Sequence, residues 1–96
     1  MMVSPDEISD VIQSSGLVAE TAVVTEPDSQ RGERIVACIV LRPEASLNEL
    51  QRFCGVELPR YMQPARYLCL TAIPRNPSGK HDLLKLKAIV VGDQSP

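Results

Sequence analysis

The sequence predicts an α+β fold, a three-stranded sheet covered by helices, and three observations carry that prediction. Two Ser-x-x-Glu starts, Ser4-Pro5-Asp6-Glu7 and Ser46-Leu47-Asn48-Glu49, each precede residues spaced to form one apolar helix face. The run from Arg34 to Leu41 (RIVACIVL) is almost continuously apolar, as expected of a central strand buried on both faces. A third apolar stretch, 65–73, leads directly into Pro74-Arg75-Asn76-Pro77-Ser78-Gly79-Lys80, where two prolines and a glycine exclude helix and regular strand.

Taken in order, Ser4 is positioned to cap a first helix over about 5–15. Pro5 suits its first position, Glu7 would complete a capping box, and Gly16 stops it. Leu17 to Thr25 is rich in β-branched residues and reads as a strand. Pro27-Asp28 and Gly32 then predict a loop of about eight residues before the strand 34–41, the two strands pairing antiparallel. Leu47, Leu50, Phe53 and Cys54 line one face of a second helix bounded by Pro59. Arg60 to Pro64 reads as a loop, 65–73 as the third strand and Asp82 to Val91 as a last short helix. The expected order is α-β-β-α-β-loop-α in a single domain over 1–96, with a loose tail over 92–96.

Composition narrows the function. The chain is 44% apolar and 23% charged, which is globular. A net charge of −2 and only three aromatic residues (Phe53, Tyr61, Tyr67) argue against nucleic acid as a partner. No apolar run is long enough to span a membrane and no signal peptide opens the chain, so a soluble cytoplasmic protein is expected. Cys38, Cys54 and Cys69 lack metal-ligand spacing and read as reduced, buried structural thiols; with His81 the single histidine, no metal site is expected. Charge is unevenly distributed: residues 1–59 carry −6 and residues 60–96 carry +4. The basic third is either ordinary surface or a face for something anionic, with Arg60, Arg66, Arg75 and Lys85 as candidate anion- or partner-docking residues.

The segment 74–80 holds the most chemical information. Proline fixes its backbone and Gly79 permits a positive φ, so Lys80 leaves it in a defined direction, as an ammonium aimed at an anion would. It is not a phosphate-binding Walker loop. Pro74 stands where that motif needs glycine, and His81 where it needs Ser or Thr.

Pro74 to Lys80 strongly resembles the last signature of the adenylate-forming enzymes, the superfamily of acyl-CoA synthetases, nonribosomal-peptide adenylation domains and luciferases. The resemblance extends in order through Val3 to Ile8, Ala22-Val23-Val24 with Pro27-Asp28 and Gly32-Glu33, then Val36-Ala37 with Ile39-Val40-Leu41. It continues through Leu58-Pro59 and Tyr61-Met62-Gln63-Pro64. It implies the small, mobile C-terminal domain of such an enzyme. By that resemblance Lys80 is the catalytic residue for attack of a carboxylate on the α-phosphorus of ATP. Pro74, Asn76, Pro77, Ser78 and Gly79 position it, Gly79 also giving backbone clearance. The domain then rotates to admit a second acceptor, usually a pantetheine thiol. The sequence departs from the family where His81 replaces an aliphatic residue and Leu83 a basic one. His81 is then either a surface residue or an addition to the phosphate end.

The resemblance also implies a large N-terminal core that supplies the nucleotide and carboxylate pockets. The chain is therefore expected to bind no cofactor and to be inactive by itself, while ATP and magnesium are expected in the complete enzyme. Expected partners are that core, in the same or another polypeptide, and an acyl carrier protein or CoA. Two other readings stay open: a non-catalytic interaction module docking a carrier protein or partner synthetase, and a small ligand-binding or regulatory domain whose loop is coincidence.

Overall fold

The computed structural model describes residues 4–30 and 32–92. It contains α1 (Pro5–Ser14), β1 (Val18–Asp28), β2 (Gly32–Leu41), α2 (Leu47–Glu57), a 3-10 turn (Arg60–Met62), β3 (Arg66–Cys69) and α3 (Leu83–Gly92). The sheet order is β1-β2-β3, with β1 antiparallel and β3 parallel to β2. The expected α+β order is therefore present, and β2 is the central strand. Of the expected tail, Gly92 instead closes α3, and the rest lies outside the described residues together with Val3.

Alternation along β2 explains its unbroken apolar run. Ala37 and Ile39 face α1 and α2, joining Ile8, Ile12, Val23, Leu50 and Cys54. Val36 and Cys38 face the other way, joining Ala22, Val24, Ile73, Leu86 and Val90 beneath α3. A central strand covered on both sides has no solvent face on which to place polar residues. Thr21, the neighbouring buried hydroxyl, is satisfied by donating to the Cys38 carbonyl at 3.1 Å.

The two helix starts behave differently. Ser46 forms the complete capping box: its hydroxyl accepts from the Glu49 amide at 3.2 Å while the Glu49 carboxylate accepts from the Ser46 amide at 3.2 Å. Ser4 makes no side-chain cap, because the Glu7 amide, the donor its hydroxyl would take, bonds instead to the Ser4 carbonyl. The eight-residue loop is also shorter than expected. β1 runs on through Pro27, which pairs opposite Glu33, and the hairpin closes at Asp28 and Gly32. β1 is an edge strand, where proline is tolerated at positions whose amide side faces solvent. The third strand is shorter too. Pairing stops at Cys69, and Ile73 leaves the sheet to pack beneath α3.

Cys38 and Cys54 are buried and Cys69 is exposed, so the expectation of three buried thiols fails at the edge strand. Burial pushes the Cys38 thiol up to about 11, against the opposing charge of Arg66 and with the help of Glu26. Burial likewise raises Cys54, partly offset by its hydrogen bond to Tyr67. Both are structural thiols, protonated at neutral pH.

A polar staple holds the sheet beneath α3. The Glu26 side chain is wholly buried and receives Arg34, its cross-strand partner on β2. It also receives Arg66 of β3 through two nitrogens, at 3.0 and 3.1 Å. Arg66 in turn donates to the Val90 carbonyl near the end of α3 at 2.8 Å, where a cation is favoured by the helix dipole. One carboxylate thus ties all three strands to the last helix. Among the described residues no helix is long and apolar enough to cross a membrane.

Replacing Glu26 with Ala leaves two guanidinium groups facing a desolvated gap. The expected loss is about 2–4 kcal/mol, below the full buried-pair value because both arginines keep some contact with water. Denaturant unfolding measures it directly.

Candidate functional site

Residues 74–82 form a closed loop on the α3 side of the sheet. Its neck is an antiparallel bridge between Arg75 and His81, backed by the Asp82 amide donating to the Pro74 carbonyl at 2.8 Å. Its tip is a β-turn in which the Gly79 amide donates to the Asn76 carbonyl at 2.9 Å. Pro77 occupies the second turn position, where its fixed φ is favoured, and Gly79 follows at φ +85°. An ideal Cβ on Gly79 would meet nothing within 4 Å, so within this chain glycine serves conformation rather than clearance.

Asn76 organises the interior. Its side-chain oxygen accepts from the Ser78 amide at 3.0 Å and the Lys80 amide at 3.2 Å, while its own amide donates to the Lys80 carbonyl at 2.8 Å. Both backbone polar groups of Lys80 are therefore held by one residue. The side chain is exposed, and among the described residues no carboxylate lies within ion-pair distance of it. The structure fixes the root of Lys80 and leaves its ammonium in water.

The loop is moored to the sheet through Glu20 of β1. Glu20 Oε1 accepts from Arg75 Nη2 at 2.6 Å and lies 3.3 Å from His81 Nε2. Arg75 also donates through Nη1 to the Gly79 carbonyl at 2.8 Å, joining strand and loop tip. Partial burial pushes the Glu20 carboxyl up, but hydrogen bonds and charge from Arg75 and His81 outweigh this and hold it below its ordinary 4.5. His81 is thus half-buried against a strand carboxylate. After the loop, the Asp82 carboxylate caps α3 by accepting from the Lys85 amide at 3.0 Å.

The candidate docking cations are not gathered into one patch. Arg75 and Arg66 are engaged with Glu20 and Glu26, and Lys85 is exposed on the first turn of α3. Arg60 is exposed on the 3-10 turn, whose Met62 packs on the α1–α2 side. The sequence singles out Lys80 and its loop but gives no sign of the Glu20 contact. A carboxylate within a β-branched run carries no local sign of a partner 55 residues away.

Residues 7–80 match the family model of the AMP-binding enzyme C-terminal domain. The chain belongs to this family of C-terminal domains from adenylate-forming enzymes. It is 42% identical over 80 residues to the long-chain-fatty-acid–CoA ligase FadD13 of Mycobacterium tuberculosis, covering 81% of this chain and 16% of that protein. It is 38% identical over 94 residues to the siderophore peptide synthetase fer3 of Mycosarcoma maydis, covering 88% of this chain and 2% of that one. A solved Mycobacterium tuberculosis fatty acyl CoA synthetase superposes with a TM-score of 0.83 at 36% identity, over 92% of this chain and 18% of that one. The domain thus spans less than a fifth of these relatives. An ordered match of this length removes coincidence as an account of the loop.

Two outcomes are expected of this adenylation-family loop. Asn76→Ala removes an acceptor shared by two amides, a loss of about 1 kcal/mol. Amide exchange at Ser78 and Lys80 should then quicken several-fold while core amides keep their rates. The Glu20–Arg75 ion pair, whose carboxyl is lowered, is present above pH 4.5 and lost as the pH falls through a midpoint below that value. Side-chain NMR signals of Arg75 should follow that transition, and Glu20→Gln should abolish it.

Proposed function

We propose that this domain supplies the reactive-site lysine for carboxylate activation. Lys80 would act when the domain is docked on a larger core, in the same polypeptide or another, that binds ATP and the acid. The observation that carries this reading is an exposed ammonium whose backbone is held on both sides by Asn76 and which, among the described residues, has no carboxylate within ion-pair distance.

In the reaction, a carboxylate oxygen attacks the α-phosphorus of ATP, the bond to the β-phosphate oxygen breaks, and acyl-adenylate and pyrophosphate result. Negative charge gathers on the phosphoryl oxygens in the transition state. A cation already held in place stabilises that charge without reorganising at the moment of reaction. Lys80 also orients the attacking oxygen, which would otherwise be repelled by the phosphates. ATP enters as substrate with its magnesium. Among the described residues no three His, Cys, Asp or Glu side chains cluster to hold a metal, so magnesium would rely on ATP and the core.

Relatives named for CoA ligation of fatty acids and for siderophore peptide synthesis support the same shared step, with different acceptors following. Rotation of the domain would then withdraw Lys80 and admit the acceptor, a CoA or carrier-protein thiol. The reading as a docking module alone has less support, because Arg66 and Arg75 are already paired with carboxylates of β1.

The test is carboxylate-dependent exchange of pyrophosphate into ATP by the complete protein, or by this domain mixed with its core. Lys80→Ala should lower the exchange rate on the order of 10²–10³-fold, the scale of a lost oxyanion donor. Exchange that ignores the substitution contradicts the proposal.

A further inference from the structure

The loop's internal bonds define its shape but not its angle to the body of the domain. Among the described residues, the hydrogen bonds that reach it from the sheet are those made by Glu20 Oε1, with Arg75 and His81. Those two residues face each other across the neck, so one carboxylate holds both arms of the loop. Arg75 extends the link to the Gly79 carbonyl, one residue before Lys80.

Regular alternation along β1 makes this contact available. The register between β1 and β2 shifts between Val18 and Glu20. Val18 packs in the core with α1 and α2, whereas Glu20 shares the opposite face with Ala22 and Val24. From Glu20 to Asp28 the pairing with β2 keeps one register, so ordinary alternation puts Glu20 on the α3 face with Ala22, Val24 and Glu26. The bulge at Ala19 turns Val18 to the other face.

We infer that Glu20 is a positioning residue for Lys80, setting through Arg75 and His81 the angle at which the loop presents the ammonium. This rests on the role proposed above for Lys80. Stability alone does not account for the arrangement. With Arg75 half exposed, the pair contributes little to folding. Geometry has far more leverage, since a displacement of about 1 Å at a reacting group costs roughly 10²-fold in rate. Glu20 touches no reacting atom and acts only through the loop.

The experiment is a double-mutant cycle on pyrophosphate exchange by the complete protein, using Glu20→Gln, Lys80→Ala and their combination. A parallel cycle with Arg75→Gln breaks the same link from the loop side and leaves β1 intact. Glu20→Gln should lower kcat about tenfold or more with KM for ATP and acid little changed. In the Lys80→Ala background the same substitution should have almost no further effect, and the Arg75→Gln cycle should repeat the pattern. An equal factor in both backgrounds, or a rise in KM without loss of kcat, overturns the positioning role while leaving Lys80 in place. Exchange untouched by Lys80→Ala overturns the proposed function itself, and the positioning role with it.

Discussion

A strand that is apolar on both faces has to be covered twice, and the architecture follows from that demand. β2 takes α1 and α2 on one side and α3 on the other. Because α3 must come back over the sheet after β3, the intervening segment is carried to the α3 side with Ile73 as its anchor. The loop that ends in Lys80 is the connection this return requires. Its place beside β1 is a consequence of packing before it is a matter of chemistry.

Charge then refines what packing allows. The acidic excess of residues 1–59 and the basic excess of residues 60–96 meet on this same side of the sheet. Glu26 gathers Arg34 and Arg66, and Glu20 gathers Arg75 and His81. Two of the six basic residues of the last third, Arg66 and Arg75, are therefore engaged in internal pairing. Lys80, like Arg60, Lys85 and Lys87, is exposed without a carboxylate neighbour among the described residues; it differs in standing on a loop where Asn76 binds both its amide and its carbonyl. A charge held without being neutralised is what stabilisation of a phosphoryl transition state needs.

Local signals were legible where one short segment contains both partners. The Ser46–Glu49 box forms because helix φ/ψ brings side chain and amide together three residues apart. The similar spelling at Ser4–Glu7 yields only backbone bonds, since the first amides turn to the Ser4 carbonyl. Pro27 misled because proline forbids a central strand but not an edge, and edge position is a property of the whole sheet. Cys69 misled for a related reason: two flanking leucines suggest burial, yet an edge strand can leave its last residue uncovered. Glu20 and Asn76 define the limit for the site. Asn76 lies inside the recognised loop, so only its degree of involvement was hidden, whereas Glu20 is joined to the loop by a pairing across more than fifty residues.

The central claim is that a moored loop delivers Lys80 to the α-phosphate. The most direct measurement is a crystal structure of the complete protein trapped before chemistry, with its carboxylic acid and an ATP analogue that cannot be cleaved between the α- and β-phosphates. The account predicts Lys80 Nζ within hydrogen-bond distance of an α-phosphate or carboxylate oxygen, with the Asn76 and Glu20 contacts intact. A closed ternary complex in which another cation occupies that place, and Lys80 points into solvent, would contradict it.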